Sequence, residues 1–223
     1  MQGLSDKEQL RYSRHIMLDQ IGEQGQLAFK QANVVIIGVG GLGCAVSQYL
    51  AAAGIGKITL IDHDKIERSN LQRQVLFKAN HLGKFKAEVA ANQLQAGNSD
   101  IIIESVTKSI FKASLKSLVD SNTILAKKLR LVSAAAIGGQ GHLYSFDNSL
   151  EKSPCYGCLY PEPAKQALNC STSGVLGPLL GVMGSLQAVE VLRLLLGKSN
   201  NIGKLTLFDA WQMDFNQFAI TKS

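Results

Sequence analysis

At 223 residues, with 46% hydrophobic and 18% charged side chains, the chain can bury a full core and is too apolar for a disordered segment. Its net charge of +6 comes from basic residues that are scattered rather than interleaved with aromatics, which argues against a nucleic-acid binder. Four cysteines, two of them spaced as Cys155-x-x-Cys158, suit metal or thiol chemistry in a reducing compartment, and the polar start from Met1 to Arg14 is no secretory leader, so a cytoplasmic protein is expected.

Ser5-Asp-Lys-Glu8 is a capping box and predicts a helix through Leu10, Ile16 and Met17. Its other face carries Arg11, Arg14 and His15, which taken alone are solvated helix charges. Gly22 and Gly25 loosen the chain before a short second helix, about Gln26 to Lys30.

The organising stretch follows, from Asn33 to Asp64. Val34 to Ile37 is the short β-branched run of a buried parallel strand. Gly38 permits a tight turn, Gly40 lets a phosphate approach the backbone, and Gly43 lets the next helix pack closely on the sheet. That helix, Leu42 to about Ala53, aims its N–H groups and the positive end of its dipole at an anion, and Gly54 ends it. After a second strand, Lys57 to Ile61, Asp62 stands at the carboxyl end, where an acid accepts hydrogen bonds from ribose hydroxyls. Strand, glycine turn, helix, strand and acid make a nucleotide site that fits NAD as well as ATP.

Just past Asp64, the run Glu67-Arg-Ser-Asn-Leu-Gln-Arg-Gln74 offers two arginines able to clamp phosphate, with amides able to orient them. Gly83-Lys-Phe-Lys86 opens a helix over Ala87 to Gln95, and a cation at that start is unfavourable unless an anion sits beside it; an exposed lysine is the plain alternative. Ile101 to Val106 is a strand, Ala113 to Val119 a helix and Leu131 to Ile137 another strand. If Thr123 to Leu125 is also a strand, too little chain remains before Leu131 for a helical crossover of about a dozen residues, so a piece of a doubly wound sheet looks absent.

Tyr144 to Phe146 and Lys204 to Phe208 are predicted strands. Between them, Cys155-Tyr-Gly-Cys158 has the spacing of half a tetrahedral zinc site, with two free thiols as the equal alternative. Cys170, in the Ser/Thr-rich loop Asn169 to Ser173, is by composition a small hydrophobe or a nucleophile. The apolar stretch Val175 to Leu196 is interrupted by Pro178, Gln187, Glu190 and Arg193, which argues for a buried helix and against a membrane span.

Taken together, Arg11-Tyr-Ser-Arg14, Gly38-Val-Gly-Gly-Leu-Gly43, Asp62-His-Asp64, Ser69-Asn-Leu-Gln-Arg-Gln74, Gly83-Lys-Phe-Lys86, Cys155-Tyr-Gly-Cys158, Gly174-Val-Leu-Gly-Pro178 and Gly181-Val-Met-Gly184 resemble the ThiF/MoeB adenylyltransferases, relatives of ubiquitin-activating enzymes, over nearly the whole chain. The resemblance implies one α/β domain: a doubly wound, Rossmann-like mixed sheet with helices on both faces, an N-terminal helical arm (1–32), a nucleotide-binding half (33–137) and a carrier-binding half with a zinc-knuckle/β region (138–223). It implies that ATP adenylates the C-terminal glycine carboxylate of a ubiquitin-like sulfur carrier ending in Gly-Gly, with release of pyrophosphate, in thiamine or molybdenum cofactor biosynthesis; Gly174 to Pro178 looks more like the thiamine branch.

Residue by residue, Asp62 resembles the ribose ligand and Gly40, Gly41 and Gly43 the phosphate loop, while Asn70, Arg73 and Lys86 resemble the triphosphate binders. Gly38, Asp64 and Gln74 are counted in the same nucleotide set. Arg14 resembles an arginine supplied by the second subunit of a homodimer, Cys155 and Cys158 half of a structural zinc site, and Cys170 the cysteine that links to the carrier in the thiamine branch. Arg14, Arg73, Lys86 and Cys170 are thus the expected catalytic residues. Two departures stand out. The family's Asp-Cys-x-Asp-Asn type motif, whose first acid is expected to help hold magnesium, has no match between Leu118 and Leu131, and the chain stops at Ser223 where relatives continue to a second C-x-x-C. The missing motif coincides with the short crossover and favours one alternative, a non-catalytic module that grips a ubiquitin-like partner; the other alternative is an NAD-dependent oxidoreductase.

Overall fold

The computed structural model describes residues 3–108, 130–151, 153–159 and 174–222, so the predicted helix Ala113 to Val119, the predicted strand Thr123 to Leu125 and Cys170 lie outside the described residues. The chain divides into two compact units, Met1–Ser109 with Leu192–Lys198, and Ile110–Val191 with Ser199–Ser223.

The first unit begins with α1 (Asp6–Arg11), α2 (Ser13–Ile16) and α3 (Gly22–Gln31). The capping box forms: the Ser5 N–H donates to Glu8 Oε2 at 2.8 Å, and the Glu8 N–H donates to Ser5 Oγ at 3.3 Å. The helix predicted to run on to Met17 instead breaks at Tyr12. Tyr12 is buried, and its hydroxyl accepts a hydrogen bond from Asn98 Nδ2 at 2.9 Å, which ties the arm to the far end of the helix that Lys86 opens.

Next come β1 (Asn33–Ile37), α4 (Gly41–Ala52), β2 (Lys57–Ile61), α5 (Lys86–Gly97) and β3 (Ile102–Val106), close to the predicted bounds. The strands form one parallel sheet in the order β1-β2-β3, with Asn33 level with Lys57 and Lys57 with Ile102. Ile58 and Leu60 of the central strand are fully buried. Consecutive right-handed crossovers between neighbouring strands put their helices on the same face, and α4 and α5 pack on each other as that requires.

The second unit holds β4 (Arg130–Ile137), β5 (Gln140–Asp147), the short α6 (Tyr156–Leu159), most of α7 (Gly177–Leu195), β6 (Lys204–Asp209) and β7 (Asp214–Ala219). Its strands form a second, antiparallel sheet in the order β4-β5-β6-β7. Among the described residues the strands fall in these two sheets, and the two-residue turn Gly138-Gly139 makes β4 and β5 antiparallel neighbours. β7 has no counterpart in the sequence prediction, because all six of its residues are exposed and it carries no buried alternation.

Among the described residues, α7 is the one helix long and apolar enough to cross a membrane. It packs as a core helix: Leu179, Leu180 and Met183 are buried, and the buried Glu190 accepts hydrogen bonds from Ser145 Oγ of β5 at 2.9 Å, from Asn201 Nδ2 at 3.2 Å and from Ser199 Oγ.

Candidate functional site

The loop between β1 and α4 is built by backbone conformation and close approach. Gly38 has φ +85°, a left-handed value that suits glycine, and its N–H donates to the Ile61 carbonyl of β2 at 2.8 Å. A methyl group on Gly43 would lie 2.0 Å from the Gly38 carbonyl oxygen, so only glycine lets α4 begin this close to the turn. Gly40 precedes the helix in extended conformation, no side chain caps the first turn of α4, and no acid lies in that turn. Its N–H groups and dipole are available to an anion.

Asp62, at the end of β2, is 9% exposed and is fixed on both oxygens. The Val39 N–H donates to Oδ2 at 2.7 Å and the Asp64 N–H to Oδ1 at 2.8 Å. Each oxygen keeps a lone pair for a hydroxyl, so the predicted ribose acceptor also holds the glycine loop in place. Val39 is the residue that sequence reasoning missed here, since a backbone N–H has no residue-type signal.

Lys86 is 6% exposed, against the plain expectation of a solvated side chain. Its N–H donates to the Asp64 carbonyl at 2.9 Å and its Nζ donates to Asp64 Oδ2 at 2.9 Å. Asp64 is the anion that a cation at this helix start requires. The Lys86 hydrogen bond in turn holds the Asp64 carboxyl below the usual carboxylate range. The turn from Glu67 to Gln74 lies beyond. Asn70 is buried, with its Oδ1 accepting the Glu67 N–H at 3.1 Å, so part of its amide is engaged in shaping the turn. Arg73 Nη1 donates to the Ser69 carbonyl at 2.7 Å, and Gln74 Nε2 faces Gly40.

Other expected residues lie outside this cluster. Arg14 is exposed on α2, where its Nη1 lies 3.8 Å from Met17 Sδ, and no hydrogen bond or ion pair joins it to Asp62, Arg73 or Lys86. In the second unit the sulfur atoms of Cys155 and Cys158 are 3.6 Å apart, and the Cys155 N–H points at Cys158 Sγ at 3.4 Å. Two thiolates on one tetrahedral zinc, at about 2.3 Å each, stand about 3.8 Å apart, so this pair fits half of such a site. Cys44 lies under the glycine loop with its Sγ 3.5 Å from the Val39 carbonyl; burial pushes its thiol up to about 12, which leaves it a packing residue.

Asp62, His63 and Asp64 bring one potential ligand atom each within 4.8 Å. Both Asp62 oxygens accept backbone N–H groups, and Asp64 Oδ2 holds the Lys86 ammonium. What the cluster offers is an acid for hydroxyls, an uncapped helix start for phosphates, and a buried lysine paired with Asp64.

The ThiF family model matches residues 12–127 and 121–223. The molybdopterin-synthase adenylyltransferase of Escherichia coli is 38% identical over 242 positions, covering 100% of this chain and 97% of the relative. The sulfur carrier protein ThiS adenylyltransferase of the same organism is 34% identical, covering 99% of this chain and 94% of the relative. MccB of E. coli, solved with ATP, shares the fold with a TM-score of 0.79 at 24% identity, over 98% of this chain and 73% of MccB. An alignment of 242 positions is 19 longer than the 223 residues of this chain, and the family match is split at residues 121–127, where the sequence predicts too short a crossover.

Proposed function

The chain belongs to the ThiF family, and from that premise we propose that it is an ATP-dependent adenylyltransferase acting on a ubiquitin-like sulfur carrier in thiamine or molybdenum cofactor biosynthesis. The observation that carries the proposal is the joint placement of Asp62 and Lys86. Asp62 locks the glycine loop at an uncapped helix start, while Asp64, two residues on, holds a buried lysine at the adjoining helix start.

The reaction joins the terminal carboxylate of the carrier to the α-phosphorus of ATP, forming the acyl–oxygen–phosphorus link and breaking the bond to pyrophosphate. Both reactants are anionic, so the protein's contribution is to position them and neutralise charge. In our reading Asp62 holds the ribose hydroxyls, the N–H groups from Gly40 to Gly43 hold phosphate oxygens, and Asn70, Arg73 and Lys86 bind the triphosphate. Arg14 completes the site from a second copy of the chain, which accounts for an exposed arginine with no ion-pair partner among the described residues. Cys155 and Cys158 would hold half of a structural zinc, which would clamp the chain segments that bind it, and Cys170 is the proposed thiol for the link to the carrier. We place the protein in the cytoplasm.

A second reading keeps nucleotide and carrier binding without turnover. It is favoured by the 19 alignment positions without a counterpart and by the split of the family match at residues 121–127. The NAD-dependent alternative has the glycine loop and Asp62 in its favour but leaves Arg73 and Lys86 without a task. Thermal stabilisation separates the adenylation and NAD readings: ATP should raise the melting temperature of the full chain and NAD should not, whereas stabilisation by NAD alone would remove the adenylation proposal.

A further inference from the structure

Gln74 carries a polar atom that nothing among the described residues satisfies. The residue is 4% exposed, and its Oε1 is buried with no hydrogen-bond donor among the described residues. The backbone holds it there: its N–H donates to the Asn70 carbonyl at 2.9 Å, its carbonyl accepts the Phe77 N–H at 3.0 Å, and Leu76 and Phe77 behind it are buried. The side chain lies against the phosphate loop, since a methyl group built on Gly40 would stand 3.9 Å from Nε2. A buried amide oxygen without a donor is unfavourable in the free protein, and it is retained at low cost where a ligand brings the donor.

The reactants at this loop offer few donors. Ionised phosphate oxygens and the attacking carboxylate have no proton to give. In our reading the ribose hydroxyls face Asp62, and the adenine amine is at the other end of the nucleotide from its phosphates. The remaining donor is a peptide N–H of the carrier's own chain end. We infer that Gln74 is a substrate-positioning residue whose Oε1 accepts the N–H of the last peptide bond of the carrier, with its amide standing between that chain end and the phosphate loop. This rests on the adenylation reading and deepens it, because it assigns the protein a contact for an extended peptide terminus and not only for a carboxylate.

The test uses the full chain saturated with a non-hydrolysable ATP analogue, and the E. coli carrier of thiamine or of molybdopterin synthesis that it binds, prepared both natively and with an ester oxygen in place of the final peptide N–H. Binding is measured by calorimetry for wild type and Gln74→Met, a substitution of similar size without the orphan oxygen. The expected result is that the ester weakens wild-type binding about tenfold, that Gln74→Met binds amide and ester carriers equally, and that the variant melts at or above the wild-type temperature. An equal ester penalty in both proteins, or none in wild type, would overturn the role of Gln74 alone. If wild type binds neither carrier, the adenylation reading itself fails and takes this inference with it.

Discussion

Lys86 reaches Asp64 twice, through its backbone N–H to the Asp64 carbonyl and through Nζ to the Asp64 carboxylate, each at 2.9 Å. The backbone bond fixes where α5 starts, and the side-chain bond pairs the buried lysine with a carboxylate at the edge of the phosphate loop.

Lys86→Met should therefore leave α5 in place but lower the rate of adenylate formation by about two orders of magnitude or more, as expected for losing a charge that stabilises the transition state. The stability of the variant has a defined pH dependence. The Asp64 carboxyl is depressed in the folded protein by the Lys86 hydrogen bond, so its contribution is present above the ordinary carboxylate range and is lost as pH falls through the depressed value. The stability difference between wild type and Lys86→Met should be constant near neutral pH and shrink in acid, as measured by urea unfolding across the pH range.

Gly43→Ala places a methyl group 2.0 Å from the Gly38 carbonyl oxygen, so α4 must move away from the end of β1. We expect a loss of about 1–3 kcal/mol in unfolding free energy, typical of overpacking, together with weaker ATP binding. Wild-type stability and affinity in this variant would show that the loop tolerates the shift.

Thiol labelling should discriminate between the two cysteine environments. Cys155 is exposed, whereas Cys44 is buried and its thiol is raised to about 12, so alkylation of zinc-stripped protein near neutral pH should modify Cys155 and spare Cys44 until the protein unfolds. Peptide mass spectrometry reads the order of labelling directly.

Arg14→Ala removes an exposed side chain whose Nη1 reaches Met17 Sδ, so stability should change by no more than about 0.5 kcal/mol. Activity should nonetheless fall, and mixing Arg14→Ala with inactive Lys86→Met should restore part of it if the arginine acts across a dimer. No recovery on mixing, with dimers formed, would place Arg14 outside the partner's site.

The sequence made legible whatever is local. The strand, glycine turn and helix from Asn33 to Ala52 follow from spacing over about twenty residues, and the Ser5–Glu8 box spans four. Features decided at a distance were not readable. The break at Tyr12 depends on Asn98, the burial of Lys86 depends on Asp64, and the Val39–Asp62 bond uses a backbone N–H that any residue there would supply. β7 escaped because an edge strand exposed on every residue has no hydrophobic period.

The most direct measurement is ATP–pyrophosphate exchange by the full chain with and without a purified sulfur carrier ending in Gly-Gly. We predict exchange that depends on the carrier and on its free C-terminal carboxylate. Folded protein that binds ATP and carrier but shows no exchange would contradict adenylation and leave the binding module.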